Sequence, residues 1–139
     1  MFLTFSRSML EITGFYVAIL AFIYVKLTLN VIKLRRSHKV KIGHKNHKDL
    51  EQAIRAHANF NEFVPLGIIL LACLELNHVH KIIIAILGGL LFIGRFLHAK
   101  SFAIIDTDTD KRIQGMKFTL WSIRLMAAML ILSLLVSFI

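Results

Sequence analysis

One short stretch of the chain carries three side chains that could bind a small charged ligand. Arg55, Asn59 and Glu62 are spaced i, i+4 and i+7, so at about 100° per residue they share one face of a helix. The twelve residues after them, 63–74, are uncharged. An arginine, an amide and a carboxylate at the edge of a membrane are costly unless they face protein or water. The pattern is typical both of an ion pair between helices and of a polar ligand site at a membrane boundary.

The composition indicates a membrane protein. Of the 139 residues, 57% are hydrophobic, above the roughly 45–50% of soluble domains, and the mean hydropathy is +0.71. The length suits a single domain, residues 1–139. The net charge of +9 could indicate nucleic-acid binding, but the basic residues lie between apolar runs. That placement favours a membrane surface or an anionic ligand, and it predicts no nucleic-acid partner.

Four apolar runs predict four membrane-spanning helices. The runs are residues 12–25, 63–74, 82–94 and 118–139. A span needs about 20 residues, so the first three must extend over polar neighbours such as Lys26, Glu62 and Arg95. Strands are disfavoured because the runs do not alternate, and a soluble bundle is disfavoured because polar stripes are missing from them. The predicted fold class is an all-α integral membrane protein with four helices.

The basic residues also predict the orientation. They cluster between the first two runs and between the last two, whereas residues 77–81 hold one lysine. The positive-inside rule places both basic connections in the cytoplasm and both termini on the non-cytoplasmic side, of the inner membrane if the protein is bacterial. In this orientation, charged side chains from all four helices lie in one layer near the cytoplasmic leaflet. They are Lys26, Arg55, Glu62, Arg95 and Arg124. Glu62 is the expected partner of the deep Arg124.

The remaining motifs predict no metal site. His44 and His47 form an H-x-x-H pair that could recruit a metal, but we expect neither a cysteine nor a carboxylate ligand beside them. The segment Asp106–Asp110 resembles a calcium loop. That loop would need glycine at position 111 and glutamate at position 117, and both positions are lysine, so calcium binding is rejected.

Further features concern packing and helix boundaries. The single cysteine, Cys73, lies in an apolar run and is expected to pack there. Asp49 with Gln52 resembles a capping box that starts the second helix, and Pro65 interrupts the hydrogen bonding of that helix. The third run contains glycines that would allow close helix contact. They are Gly88, Gly89 and Gly94.

The residue types of the first stretch suit a ligand with carboxylates, an ammonium group and a thiol. Arginine stays protonated and cannot act as a base, but it can bind a carboxylate through two N–H groups. It can also favour the thiolate form of a thiol. Glu62 could accept hydrogen bonds from an ammonium group. Glutathione carries all of these groups, so the residue types alone suggest it as a ligand.

The stretch from Arg55 to Glu62, followed by Pro65, resembles the signature of the membrane-associated proteins in eicosanoid and glutathione metabolism, the MAPEG family. The segment Gly94–His98 resembles the third-helix motif of that family, and residues 26–35 with Gly43 resemble its bacterial members. The resemblance covers essentially the whole chain. It implies a homotrimer of four-helix subunits, a polar site between neighbouring subunits on the cytoplasmic side, and glutathione as cofactor or co-substrate.

The resemblance also implies roles for individual residues. The positions that would bind glutathione are Arg55, His57, Asn59 and Glu62 on the second helix, Arg95 and His98 on the third, and Lys33 and Arg35 on the first helix of a neighbour. Arg112 matches the arginine that stabilises the glutathione thiolate. Lipophilic substrates would approach from the bilayer, between the first and fourth helices.

The implied function is a membrane-bound glutathione transferase, or peroxidase, that joins the glutathione thiolate to a lipophilic electrophile. Three positions depart from the family pattern. Phe102 stands where catalytic members carry a tyrosine, Phe118 lacks a hydroxyl used by some members, and Ala58 replaces a basic residue. These departures keep a non-catalytic lipid-binding member of the same fold as the alternative. A small channel or transporter is disfavoured because the outer half of every span is uncharged.

Overall fold

The structure, a computed structural model, describes residues 10–101 and 109–137. The helices in these ranges are α1 (Glu11–Ser37), α2 (Lys48–Leu76), α3 (Lys81–Ser101) and α4 (Thr109–Ser137). The shortest, α3, has 21 residues and is about 32 Å long at 1.5 Å per residue, which matches a hydrocarbon core of about 30 Å. All four are long and apolar enough to cross a membrane. The prediction of an all-α protein with four spans is therefore confirmed.

The helices form a bundle with α2 and α3 in the middle. Both α1 and α4 pack against α2 and α3, but α1 and α4 do not contact each other within the described ranges. Short connections between consecutive helices favour antiparallel neighbours. The connection 38–47 and the start of α4 therefore lie at one end of the bundle, which we call the basic end.

The apolar core consists of two clusters, and α3 contributes to both. The larger cluster contains Leu71, Leu74, Ile84, Leu87 and Met126. The smaller contains Leu20, Phe60 and Leu91. In the most apolar stretch of α3, 39% of the residues are buried inside the bundle. In the most apolar stretch of α1, only 6% are buried. The outer surfaces of the bundle must therefore meet lipid or other chains.

Polar groups fix the N-terminus of α1 at the other end of the bundle. The carboxylate of Glu75 accepts the backbone N–H groups of Ile12 and Thr13 at 3.0 and 2.8 Å. The first N–H groups of a helix have no partner within the helix, so a carboxylate there both accepts hydrogen bonds and balances the helix dipole. The Tyr16 hydroxyl donates to the carbonyl of Ala85 at 2.6 Å, which ties α1 to α3.

Glycines allow α3 and α4 to approach backbone to backbone. A Cβ atom added at Gly94 would lie 2.9 Å from the carbonyl oxygen of Gly115, and one at Gly115 would lie 2.7 Å from the backbone nitrogen of His98. A Cβ atom at Gly88 would overlap the ring of Tyr16. The prediction that Gly88 and Gly94 allow close contact is confirmed, because neither position has room for a side chain.

The predicted capping box of α2 is wrong. The helix begins at Lys48, with His47 as its N-cap residue, so Asp49 lies inside the first turn. Its Oδ1 accepts the N–H of Leu50 at 2.8 Å. Its Oδ2 lies 2.8 Å from Nε2 of His38. The carboxylate is thus engaged by a residue at the end of α1, which spacing within the second helix could not reveal.

Candidate functional site

The predicted ligand-binding residues Arg55, Asn59 and Glu62 lie on one face of α2. Their spacing is preserved because the helix continues through Pro65. Arg55 and Glu62 are exposed in the single chain, and Asn59 between them is half-buried. Two opposite charges therefore protrude from a helix of membrane-spanning length, where they are stable only against water, protein or a ligand. We call these three residues the α2 stripe.

Arg95 lies behind the stripe, in the interior of the chain. It is 1% exposed. Its Nη1 donates to Oδ1 of Asn59 and its Nε donates to Oγ1 of Thr119, both at 2.8 Å. The guanidinium also lies 5.1 Å from the ring centroid of Phe63, a favourable cation–π distance. Its Nη2 is buried and has no hydrogen-bond partner in residues 10–101 and 109–137.

This network fixes the amide of Asn59. A guanidinium can only donate hydrogen bonds, so the oxygen of the amide must face Arg95. The Nδ2 of Asn59 therefore has two N–H groups to donate, and neither donates to another residue in the part of the chain that the structure describes. The stripe therefore presents a guanidinium, two amide donors and a carboxylate acceptor.

His98 and Arg112 lie where α3 meets the start of α4. His98 is buried, one turn after Arg95 and against the backbone of Gly115. Arg112 is exposed in the first turn of α4. Gly115, one turn after Arg112, packs against His98 and Gly94 of α3. The structure therefore brings these three predicted site residues together at the basic end.

His57 faces α1 of its own chain instead of the stripe. Its Nε2 lies 3.1 Å from the hydroxyl oxygen of Thr28. Its ring lies 5.2 Å from the ring of Tyr24, centroid to centroid. The position of His57 on the opposite side of α2 follows from its place in the helical repeat.

The two predicted first-helix residues have different surroundings. Lys33 is exposed and lines a cavity of about 580 Å³ between α1, α2 and α3. Arg35 donates through Nη1 to the carbonyl oxygens of Lys41 and Gly43, at 3.2 and 3.0 Å. Arg35 therefore stabilises the connection that follows α1 in its own chain.

The expected ion pair between Glu62 and Arg124 is wrong. The Arg124 guanidinium lies 5.7 Å from the ring centroid of Trp121, one turn earlier on α4. Residues three apart share one face of a helix, so the ring of Trp121 lies within reach of Arg124. The ion pairs that the structure shows in residues 10–101 and 109–137 are Glu11–Lys81 and His38–Asp49.

Thr119 was not predicted as a site residue from the sequence. Its hydroxyl accepts the Nε–H of Arg95 and donates to the carbonyl of Gly115 at 2.9 Å. The signal was present, because a glycine and a threonine at i and i+4 place small residues on one face of α4. Phe118 beside it is 39% exposed. Phe102 and residues 106–108 lie outside the described residues.

Comparison with known proteins decides the family. The MAPEG family model matches residues 13–137. The chain belongs to the MAPEG family. It is 30% identical to the inner membrane protein YecN of Escherichia coli K12 over 91 residues. The matched region covers 66% of this chain and 70% of YecN. YecN of Escherichia coli O6:H1 matches with the same identity and coverage. As a MAPEG protein with four candidate spans, the chain is an integral, multi-pass membrane protein.

Proposed function

We propose that this MAPEG protein is a membrane-bound glutathione transferase whose α2 stripe binds glutathione between the subunits of a homotrimer, on the cytoplasmic side. One observation carries the proposal. Arg55 and Glu62 are exposed on the surface of a membrane-spanning helix, on either side of an amide that buried Arg95 holds in one orientation. Such charges need a polar partner, and no ion pair of either residue occurs among the described residues.

The groups of the stripe fit those of glutathione. Arg55 can bind a carboxylate through two N–H groups, and the Nδ2 of Asn59 can donate to a carboxylate as well. Glu62 can accept hydrogen bonds from the ammonium group. The buried Nη2 of Arg95 has no hydrogen-bond partner among the residues that the structure describes, so the hydrogen-bonding capacity of this cation is not filled there. An anionic group bound at the stripe offsets that charge.

The arrangement of the helices supports a site between subunits. The α1 and α4 helices do not touch within the described chain, and large apolar side chains are exposed along both, among them Phe22, Leu29, Ile131 and Leu135. Lipid can cover these side chains, but it cannot stabilise the charges of Arg55 and Glu62. A neighbouring chain can cover both kinds of surface. The lipophilic substrate then enters from the bilayer between the α1 and α4 helices of neighbours.

The chemistry in this proposal needs little from the protein beyond positive charge. When bound, glutathione supplies a thiol that would lose its proton to solvent and, as the thiolate, form a bond to the lipophilic electrophile. In a peroxidase reaction, two glutathione molecules would be oxidised to the disulfide as the peroxide is reduced to an alcohol and water. A nearby guanidinium favours the thiolate, and we assign this role to Arg112, which is exposed at the start of α4. Arg95 adds positive potential from behind Asn59. No protein base is needed, because the thiolate itself is the nucleophile.

A second candidate is a non-catalytic lipid-binding protein of the same fold. The observation that favours it is Phe118, which is 39% exposed and has no hydroxyl to offer a ligand. Phe102 likewise has none. Glutathione binding, thiolate formation and turnover separate the two candidates.

The experiment uses the full chain purified in detergent. We expect saturable glutathione binding, a rise in thiolate absorbance at neutral pH, and conjugation of a model lipophilic electrophile. S-methylglutathione is the matched control, because it keeps both carboxylates and the ammonium group but has no ionisable thiol. It should bind without an absorbance change. Binding of glutathione without thiolate or turnover would favour the second candidate, and the absence of binding would contradict the proposed function.

A further inference from the structure

A cluster of three metal-ligating side chains lies at the basic end, apart from the α2 stripe. His38 is the residue that follows α1, His47 is the N-cap of α2, and Asp49 lies in the first turn of α2. Each offers one ligand atom, and these atoms all lie within 4.8 Å of one another. All three residues are half-buried. The cluster thus joins the end of one membrane-spanning helix to the start of the next.

The geometry within the cluster is defined by direct contacts. Nε2 of His38 lies 2.8 Å from Oδ2 of Asp49. The rings of His38 and His47 are stacked, with centroids 4.0 Å apart and an angle of 14° between the planes. The other oxygen of Asp49 accepts the N–H of Leu50 at 2.8 Å, a contact that orients the carboxylate as outer hydrogen bonds do at metal sites.

We propose that His38, His47 and Asp49 form a binding site for a divalent transition-metal cation of the Zn²⁺ type. Two imidazoles and one carboxylate are a common ligand set for such ions, with water in the fourth position. Ligand atoms held tetrahedrally by one zinc ion at about 2.0–2.2 Å are roughly 3.3–3.6 Å apart. The ligand atoms of the cluster, which lie within 4.8 Å of one another, therefore need to close by up to about 1 Å, with a rotation of the stacked imidazole rings toward the ion. The cation replaces the proton that now joins His38 to Asp49.

This site differs from the pair that the sequence suggested. The H-x-x-H pair combined His47 with His44 and assumed that no carboxylate was near. In the structure His38 and Asp49 accompany His47. His44 lies in the same connection, and its Nδ1 is buried without a hydrogen-bond partner among the described residues. The connection therefore contains a third imidazole, with one nitrogen that no described residue uses.

Two opposing features set the expected affinity. The connection is held in shape by Arg35, which bonds to the carbonyls of Lys41 and Gly43, so little ordering is needed on binding. Lysines at 39, 45 and 48 flank the cluster, and their charge repels a cation. We expect reversible binding that is weaker than at closed four-ligand structural zinc sites.

The test is a calorimetric titration of the detergent-purified full chain with Zn²⁺, at about pH 8, where imidazole is mostly neutral. The purification tag must contain no histidine. We expect one ion per chain, and a loss of affinity of at least tenfold in each of His38→Ala, His47→Ala and Asp49→Asn. His78→Asn is the matched control, because it removes an exposed imidazole at the other end of the bundle and should leave the affinity unchanged.

A second measurement does not depend on the variants. Zn²⁺ should raise the unfolding temperature of the wild-type chain, since a ligand that binds only the folded state stabilises it, and Mg²⁺ should not. The absence of saturable Zn²⁺ binding to the wild type would overturn the proposal. So would equal affinity in the wild type and in folded Asp49→Asn. Neither result depends on glutathione, so the metal site and the proposed function can fail separately.

Discussion

At the scale of single residues, the surroundings of Arg95 define the site. A guanidinium taken out of water costs several kcal/mol unless its N–H groups are satisfied. Asn59 and Thr119 satisfy two of them, but no carboxylate pairs with Arg95 among the described residues. The buried positive charge is therefore hydrogen-bonded without being neutralised, which makes the space in front of Asn59 attractive to an anion.

We expect Thr119→Val to destabilise the fold by about 2 kcal/mol or more, because it leaves the buried Nε–H of a charged group without an acceptor at nearly constant volume. Thr28→Val is the control. Its hydroxyl is half-buried, donates to the carbonyl of Tyr24 in its own helix and contacts Nε2 of His57, but no buried guanidinium depends on it, so the cost should be smaller than for Thr119→Val. Unfolding of both variants in a mixed-detergent titration measures the difference. Equal costs would mean that Thr119 does not support Arg95.

Removal of the charge at Arg112 should change the chemistry more than the binding. A guanidinium near a thiol lowers the pKa of that thiol, and each tenfold change in acid dissociation corresponds to about 1.4 kcal/mol. In Arg112→Ala we expect glutathione to bind through its carboxylates and ammonium group, but mostly as the thiol at neutral pH. Turnover of a model electrophile should fall, and the pH–rate profile should move to higher pH.

Lys111→Ala is the matched control for that experiment, because it removes the same charge from the neighbouring position. It should leave the pH–rate profile in place. If Arg112→Ala also leaves the profile unchanged, Arg112 serves the fold or the membrane surface. Arg95 is then the next candidate for the thiolate partner.

At the scale of helices, the contact between α3 and α4 positions the site. Gly94 and Gly115 bring the two backbones together, and Thr119, one turn beyond Gly115, thereby reaches Arg95. In a membrane such contacts rely on close packing, since lipid is as apolar as the side chains. A change in the spacing between these helices would move the acceptor away from the buried guanidinium.

Gly115→Ala should therefore destabilise the protein by about 1–3 kcal/mol, the usual cost of overpacking, because the added methyl group meets backbone atoms of α3. Gly14→Ala on α1 is the control. Nothing lies within 4 Å of its added Cβ, so alanine should be neutral or stabilising by up to about 1 kcal/mol. Thermal unfolding of both variants in the same detergent decides between packing and helix propensity. Destabilisation by both, or by neither, would contradict the packing account.

The sequence predicted the elements better than the contacts between them. Four spans and the single face of the α2 stripe follow from local periodicity, which the helices preserve. The acceptors of Arg95 depend on the register of α3 against two other helices, and no local pattern encodes that register. The predicted ion pair between Glu62 and Arg124 was wrong for the same reason. A similar depth of two side chains in the membrane does not specify that they are in contact. Asp49 was assigned to a cap because its real partner, His38, belongs to another helix.

At the scale of the whole molecule, the two ends of the bundle differ in charge. The connection 38–47 and the start of α4 carry the basic residues, whereas the other end holds the Glu11–Lys81 pair and the Glu75 cap. The positive-inside rule then favours a cytoplasmic basic end. The α2 stripe, Arg112 and the His38 cluster would all face the cytoplasm in that orientation.

Two single-cysteine variants test this orientation in a Cys73→Ala background. Asn46→Cys lies at the basic end and His78→Cys at the opposite end, and both positions have a left-handed backbone, with φ values of 64° and 56°. A membrane-impermeant thiol reagent added to intact cells should label His78→Cys and spare Asn46→Cys. The reverse pattern would overturn the orientation and the placement of the site.

The central claim is that the α2 stripe binds glutathione, and the most direct test is the calorimetric affinity of Glu62→Gln in detergent. The variant keeps the shape of the side chain but removes the charge that would accept the ammonium group. We expect glutathione affinity to fall at least tenfold, about 1.4 kcal/mol, while the mass of the complex stays that of the wild type. Glu11→Gln, an exposed glutamate at the other end of the bundle, should bind glutathione like the wild type. Unchanged affinity in Glu62→Gln would contradict the account and would make the stripe a structural feature.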